Sequence, residues 1–375
     1  MREYLKRLKR GLLVMSGSVL ITSCKKDTLN INPEQIIVPQ IEYEQENDEN
    51  HEEIVTSKQK IEKKTLTISA VGDCTLGTDT NFGSGNFNDV FEEVNGNYSY
   101  FFKGVEEFLK EDDLSIANLE GTVISEENYE AIEGCRVDKT FNFKGASNYT
   151  NILTEGSIEA VNLANNHTFD YGQKGYEETI ANLENASIPY FGYDQYYIYE
   201  TKGIRIGLAG ILGWNEEVAK ENTEKAINYF HEQNADLIII SYHWGIERED
   251  KQNKTQENIA RHAIDCGADL ILGTHPHVPQ GIECYKGKYI VYSLANFVFG
   301  GNRNPEDKDT FIFQQVFHYE NDVLVDTYIN IIPCSVSSVQ NKNDYQPTLL
   351  EGEEYRRVRD RVLNSSTNLY YNEGE

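Results

Sequence analysis

A strand that ends in a polar turn and is followed by a helix and a second strand leaves a chain few folds to choose from, and this sequence uses that unit repeatedly. Ala160 to Ala164 is a short strand that runs into Asn165-Asn166-His167-Thr168-Phe169-Asp170-Tyr171-Gly172. Gly175 to Ala186 then carries Tyr176, Ile180 and Leu183 on one helical face, and Ile188 to Phe191 reads as the next strand. Such βαβ units need parallel pairing with a crossover, so the sequence predicts an α/β protein.

Other strands close in the same way. Leu66 to Val71 alternates and reaches Gly72-Asp73-Cys74-Thr75, and Leu114 to Leu119 ends in Glu120-Gly121. Ala235 to Ser241 ends in Tyr242-His243-Trp244-Gly245. After a helix over Asn258 to Cys266, the apolar run Leu270-Ile271-Leu272 meets Gly273-Thr274-His275-Pro276-His277. Pro276 biases His275 towards an extended backbone, and side chains two apart on extended chain face the same side. Both imidazoles can therefore face one cavity. Elsewhere, Tyr100 to Leu109 has helical spacing, and Glu126 to Lys139 is polar and irregular, a loop. Tyr197 to Glu200 and Ile204 to Ile211 flank the Thr201-Lys202-Gly203 turn, and Tyr289 to Leu294 is a strand. Phe311 to Tyr319 and Val323 to Pro333 form a hairpin about Asn321-Asp322, and a charged helix over Glu353 to Leu363 closes the chain.

Asp73, Glu120, Asn166, His243, His275 and His277 thus lie at the ends of five strands, which converge on one edge in a mostly parallel sheet. Carboxylate and amide oxygens with imidazole nitrogens suit a divalent ion such as Mn, Zn, Fe or Mg. Taken singly, each residue also fits an Asx turn, a helix cap or a hydrogen-bonded histidine.

The chain has 375 residues, enough for one large domain or two, and a formal net charge of −27. That charge argues against a nucleic-acid partner, because phosphate backbones need basic surfaces. Six cysteines without CxxC pairs give neither a zinc-finger nor a disulfide-scaffold pattern, and no essential disulfide is expected. Residues 1–23 read as a signal peptide, with a basic head over Met1 to Arg10 and a short apolar run. Leu20-Ile21-Thr22-Ser23-Cys24 resembles a bacterial lipobox. Cys24 is then the lipidated residue, anchoring the rest to the membrane from outside the cytoplasm. An ordinary cleaved signal or an uncleaved anchor remains the alternative. Residues 24–64 read as a tether: from Asp27 to Thr56 there are nine acidic residues and no Lys or Arg. Such a segment buries little and repels itself, so it reads as an extended spacer, or else as a binder of a partner. A folded domain is expected over 65–335, and a C-terminal extension with a helix over 336–375.

From about Thr65 to Pro333 the chain resembles the CapA (PgsA-like) poly-γ-glutamate capsule-biosynthesis family, within the calcineurin-like metallophosphoesterase superfamily. The residues that carry the resemblance are Val71-Gly72-Asp73, Asn118-Leu119-Glu120-Gly121, Asn165-Asn166-His167-Thr168 with Asp170 and Gly172, Tyr242-His243-Trp244-Gly245, and Gly273-Thr274-His275-Pro276-His277. The resemblance implies a metallophosphoesterase-like four-layer α-β-β-α sandwich with one or two divalent ions at the strand ends. Carried over, Glu120 would bridge two ions. Asn166, His243 and His275 would complete one, and Asp73 and His277 the other. His167, helped by Asp170, would protonate a leaving group.

Two positions depart from the superfamily pattern. Thr75 stands where a histidine is usual, and Glu120 stands where the bridge is usually aspartate. The ion at Asp73 is then weakly held or absent, unless the adjacent Cys74 substitutes. Three readings of function follow. The first is a cell-surface metal-dependent hydrolase or transferase acting on a polymer or phosphoester. The second is a non-catalytic subunit of a membrane polymer synthetase or export complex, with a structural or vestigial metal site. The third is a surface binding protein that uses the cleft for a ligand.

Overall fold

The computed structural model describes residues 36–37, 61–125 and 141–369. Cys24, most of the expected tether and the expected loop over Glu126 to Lys139 lie outside the described residues. Two sheets make the body of the protein. The first runs Ile36–Ile37, Val323–Ser335, Asp309–Glu320, Lys63–Thr75, Leu114–Leu119, Ala160–Asn162, Tyr190–Phe191. Asn296–Phe299 joins it alongside the end of Lys63–Thr75. The second runs Ile282–Tyr285, Lys288–Val291, Leu270–Thr274, Leu237–His243, Ile204–Leu212, Tyr197–Thr201. A small third sheet contains Thr78–Asp79, Phe143–Ala146 and Thr122–Ile124.

Period-two alternation sorts the side chains into layers. Ile206 and Leu208 face inward with Ile239, Leu270 and Leu272, and meet Leu66, Ile68 and Ile116 from the first sheet. Ala209, Ile211, Ile238 and Ile240 face outward, under Ala219, Ala226, Phe230, Ile259 and Ala263 of two helices. On the other side, Ala117, Leu119 and Val161 pack beneath Phe101, Phe102, Leu109, Ile152 and Leu183. Helix, sheet, sheet, helix is the four-layer sandwich that the resemblance implied.

Several local expectations change. The six strand-end residues do converge, but from two sheets rather than one. The predicted helix over Tyr100 to Leu109 is a 3-10 turn, Tyr98–Phe102, and a short helix, Glu106–Lys110. Gly104 separates them, and a Cβ there would stand 2.4 Å from the Pro347 carbonyl oxygen, so the chain bends where another segment presses on it. A further helix, Glu216–Glu232, is capped by Asn215, whose side chain accepts from the Val218 N–H. The hairpin turns through Asn321 and Asp322, both at positive φ, as a two-residue primed turn requires. Among the described residues, no helix is long and apolar enough to cross a membrane.

Candidate metal centre

Asp73 reaches the site because its strand carries a bulge. Ala70 pairs with Ile116 but Asp73 pairs with Asn118, so three steps on one strand match two on the other. The extra residue inverts the alternation. Asp73 consequently faces the cleft, and Cys74 turns into the outer core beside Val71 and Leu76. Burial pushes the Cys74 thiol up to about 12, and its side chain is no substitute ligand. Gly72 permits the bulge, since a Cβ there would fall 1.9 Å from the Ala295 carbonyl oxygen.

Glu120 follows directly after Leu114–Leu119 and is wholly buried. Neither carboxylate oxygen has a hydrogen-bond partner. Around its Oε1 stand three imidazole nitrogens: His167 Nε2 at 3.8 Å, His243 Nε2 at 3.9 Å and His277 Nε2 at 4.0 Å. These separations are too long for hydrogen bonds and suit donors that share a common centre. Burial raises the Glu120 carboxyl well above its ordinary range, with the Asp73 charge adding to it, while His277 works the other way. Asp73, Glu120 and His277 each offer a ligand atom, all within 4.8 Å of one another.

His275 and His277 converge by a different route from the extended one expected. Both sit at positive φ, 94° and 59°. The His275 N–H donates to Asp73 Oδ2 at 3.2 Å, which fixes this tight, strained loop against the first sheet. The two rings end 5.7 Å apart. Burial lowers His277, but the Glu120 and Asp73 charges override it and raise the imidazole to about 10. Its Nδ1 lies 2.8 Å from Asn296 Oδ1 and 3.2 Å from Asp73 Oδ2. Burial and the neighbouring His277 lower His275 to about 4. Its Nδ1 is buried without a hydrogen-bond partner, as a neutral lone pair held for a ligand would be.

His243 closes the second sheet's contribution. Its Nδ1 lies 3.0 Å from Thr274 Oγ1 and its Nε2 lies 2.6 Å from Asn166 Oδ1. Asn166 and His275 are thus brought to the same side of the cleft as His243, whose ring centre is 4.8 Å from that of His275. His167 packs against Phe143 with tilted rings 4.4 Å apart, and its Nδ1 lies 2.7 Å from Asp170 Oδ2. Asp170 also accepts from the Phe143 N–H at 2.7 Å. The carboxylate therefore orients an imidazole whose other nitrogen points towards Glu120.

All eight cleft residues expected from the sequence meet at this edge, and the structure adds others. Asn118 donates to Asp73 Oδ1 at 2.8 Å, with the same nitrogen 3.4 Å from His243 Nδ1. Asn162 and Asn165 both donate to its carbonyl oxygen. A buried amide network thus locks the carboxylate and imidazole donors in place. Glu247 groups with His275 and His277, and Trp214 meets His243 and His275 edge-on at 5.7 and 5.2 Å. The Asn118-Leu119-Glu120 strand end was the available signal for Asn118. Glu247 sits on a loop with no periodicity to reveal it. Thr75, at the departing position, is buried with its hydroxyl unpartnered.

The donor set fits a divalent cation. A buried carboxylate with no hydrogen bond is costly unless a charge compensates it, and hard oxygens beside neutral imidazole nitrogens are common ligands for such ions.

Comparisons with known proteins place the chain by its sequence. Residues 67–301 match the model of the family described as bacterial capsule synthesis protein PGA_cap. The capsule biosynthesis protein CapA of Bacillus anthracis is 30% identical over 316 residues, 75% of this chain and 72% of that protein. The PGA biosynthesis protein CapA of Bacillus subtilis (strain 168) is 30% identical over 254 residues, 62% of this chain and 63% of that protein. Among solved structures, a phosphatase from Mycoplasma pneumoniae aligns with a TM-score of 0.42 at 14% identity, covering 72% of this chain and 95% of that one. On the extent of the family match and the identity to the Bacillus anthracis protein, the chain belongs to the bacterial capsule synthesis protein PGA_cap family.

Proposed function

We propose that this protein acts at the cell surface in the synthesis, export or processing of poly-γ-glutamate, through a divalent-metal-dependent, hydrolase-like site. The polymer is taken from the relative named for PGA biosynthesis. The observation that carries the site is Glu120: a wholly buried carboxylate with no hydrogen bond, ringed by three imidazole nitrogens at 3.8–4.0 Å. Asp73, Glu120 and His277 would hold one cation, and Asn166, His243 and His275, with Glu120, a second. A cation bound there would polarise a scissile group and make water a better nucleophile. Asn118 keeps Asp73 facing the cleft. Asp170 holds His167 in one orientation, so that a proton on Nε2 can pass to a leaving oxygen or nitrogen. Trp214 forms an exposed aromatic wall beside His275, where it limits water and offers a surface to a polymer backbone.

The test combines metal analysis with a hydrolase panel that includes poly-γ-glutamate and simple phosphoesters. Metal in the wild type, its loss in Glu120→Ala, and turnover lost in His167→Ala are the expected results. Equal metal content in both proteins would sink the metal site. The second reading, a non-catalytic subunit of a membrane synthetase complex, draws on Thr75, a buried hydroxyl at the sequence position where an imidazole is usual. Metal lost in Glu120→Ala, with no turnover and with capsule formation intact in His167→Ala, would establish it. Anchoring through lipid on Cys24 belongs to the same proposal: Cys24→Ser should release the protein from the membrane or stall its processing, and unchanged retention and cleavage would rule it out.

A further inference from the structure

A second set of metal-type donors lies away from the cleft, on the outer face of the second sheet. His262 and Cys266 are four residues apart on the Lys254–Cys266 helix, and so share one face. Glu224 approaches from the adjacent Glu216–Glu232 helix. His262 Nε2 is 3.0 Å from Glu224 Oε1 and 3.5 Å from Cys266 Sγ, and the three donors lie within 4.8 Å of one another.

The obvious rival is a cysteine nucleophile with a histidine base and a carboxylate orienter. That relay needs the thiol on one ring nitrogen and the carboxylate on the other. Here both meet the same nitrogen, Nε2, which leaves no relay. Donors crowded on one side of one nitrogen instead point at a shared centre. Tetrahedral zinc, with nitrogen at about 2.0–2.1 Å and sulfur at about 2.3 Å, separates those two ligands by about 3.5 Å. The observed nitrogen–sulfur distance is 3.5 Å. The position also favours a cation: Cys266 ends its helix, Gly267 caps it, and the last turn holds no basic residue to answer the negative end of the dipole.

We infer that Glu224, His262 and Cys266 form a second metal site, for a borderline ion of the zinc class, that pins the two outer helices together. Three protein donors leave the fourth position to water. The two helices cover the strands that deliver His243 and His275, so the ion stiffens the support of the cleft without entering it. This inference is independent of the function proposed above.

The test uses Co²⁺ and Cd²⁺ with the full chain and reads the thiolate-to-metal charge-transfer band. Sulfur identifies the site, because the cleft's donors are oxygen and nitrogen. The band should be present in wild type and in Glu120→Ala, and absent in Cys266→Ser. His262→Ala and Glu224→Gln should each weaken the metal titration by about tenfold or more, since even outer-shell partners of a metal cost that much. Zn²⁺ should raise the melting temperature of Glu120→Ala, and that rise should vanish on adding Cys266→Ser. No band, or a band that survives Cys266→Ser, overturns the site. A band that needs Cys266 but is indifferent to His262→Ala and Glu224→Gln shows only adventitious thiol binding, and overturns it equally.

Discussion

His275 and His277 are two residues apart in one loop, yet the fold holds them in opposite states. His277 sits against Asp73 and Glu120 and is raised to about 10, while His275, buried beside it and beneath Trp214, is lowered to about 4. The cleft therefore has an acidic half, where Asp73 and Glu120 flank His277, and an amide-and-imidazole half, Asn166, His243 and His275. The contrast shows that protonation here is set by which carboxylate a ring faces, not by residue type or burial alone. It also prepares the cleft for metal: His275 offers a lone pair at once, whereas His277 must release a proton as an ion replaces it.

The sharpest way to break this contrast is Glu120→Ala, which removes the buried carboxylate that stands beside His167, His243 and His277. Metal content should fall by more than about tenfold, and metal-dependent stabilisation should go with it. Metal analysis and melting curves with and without chelator measure this, and unchanged content would refute the assignment. His275→Ala should lower metal content less, because only one half is damaged. The next largest effect separates binding from chemistry. His167→Ala removes a proton donor and should leave metal content and melting temperature nearly unchanged, while any turnover falls roughly a hundredfold or more. A loss of metal in that variant would place His167 among the ligands instead.

Asn118 joins the halves, since its amide nitrogen lies 2.8 Å from Asp73 and 3.4 Å from His243. Asn118→Ala leaves buried partners unsatisfied and should destabilise the fold by about 1–3 kcal/mol, which urea unfolding in chelator would measure. It should also weaken metal binding by about tenfold, and metal affinity equal to wild type would reduce Asn118 to a purely structural role.

The smallest effect is the one that separates the histidines most directly. In chelator, the raised imidazole of His277 contributes stability that is fully present below its unfolded value of 6.5 and is lost as pH rises through about 10. The lowered imidazole of His275 acts the other way: its contribution is present above 6.5 and is lost as pH falls towards about 4. Urea midpoints should then decline on both sides of neutrality. His277→Gln should flatten the alkaline limb and His275→Gln the acid limb. A single variant that flattened both would mean that the two rings titrate as one unit.

The sequence by itself determined the α/β class, because apolar runs alternating with helical spacing leave little else. It also marked Asp73, Glu120, Asn166, His167, Asp170, His243, His275 and His277, because strand ends in such folds gather at an edge. The Glu216–Glu232 helix was readable too, since Ala219, Thr223, Ala226 and Phe230 form a helical stripe, but polar residues between them masked it. Only the tertiary structure decided the rest. The bulge between Ala70 and Asp73 chooses which of Asp73 and Cys74 enters the cleft, and although Gly72 permits it, its register is set by the partner strand. The positive φ of His275 comes from the Asp73 carboxylate, 202 residues away in the chain. Opposite charge states for two histidines in one short loop depend on distances between two sheets. Local sequence fixes local periodicity, and long-range packing fixes orientation and field.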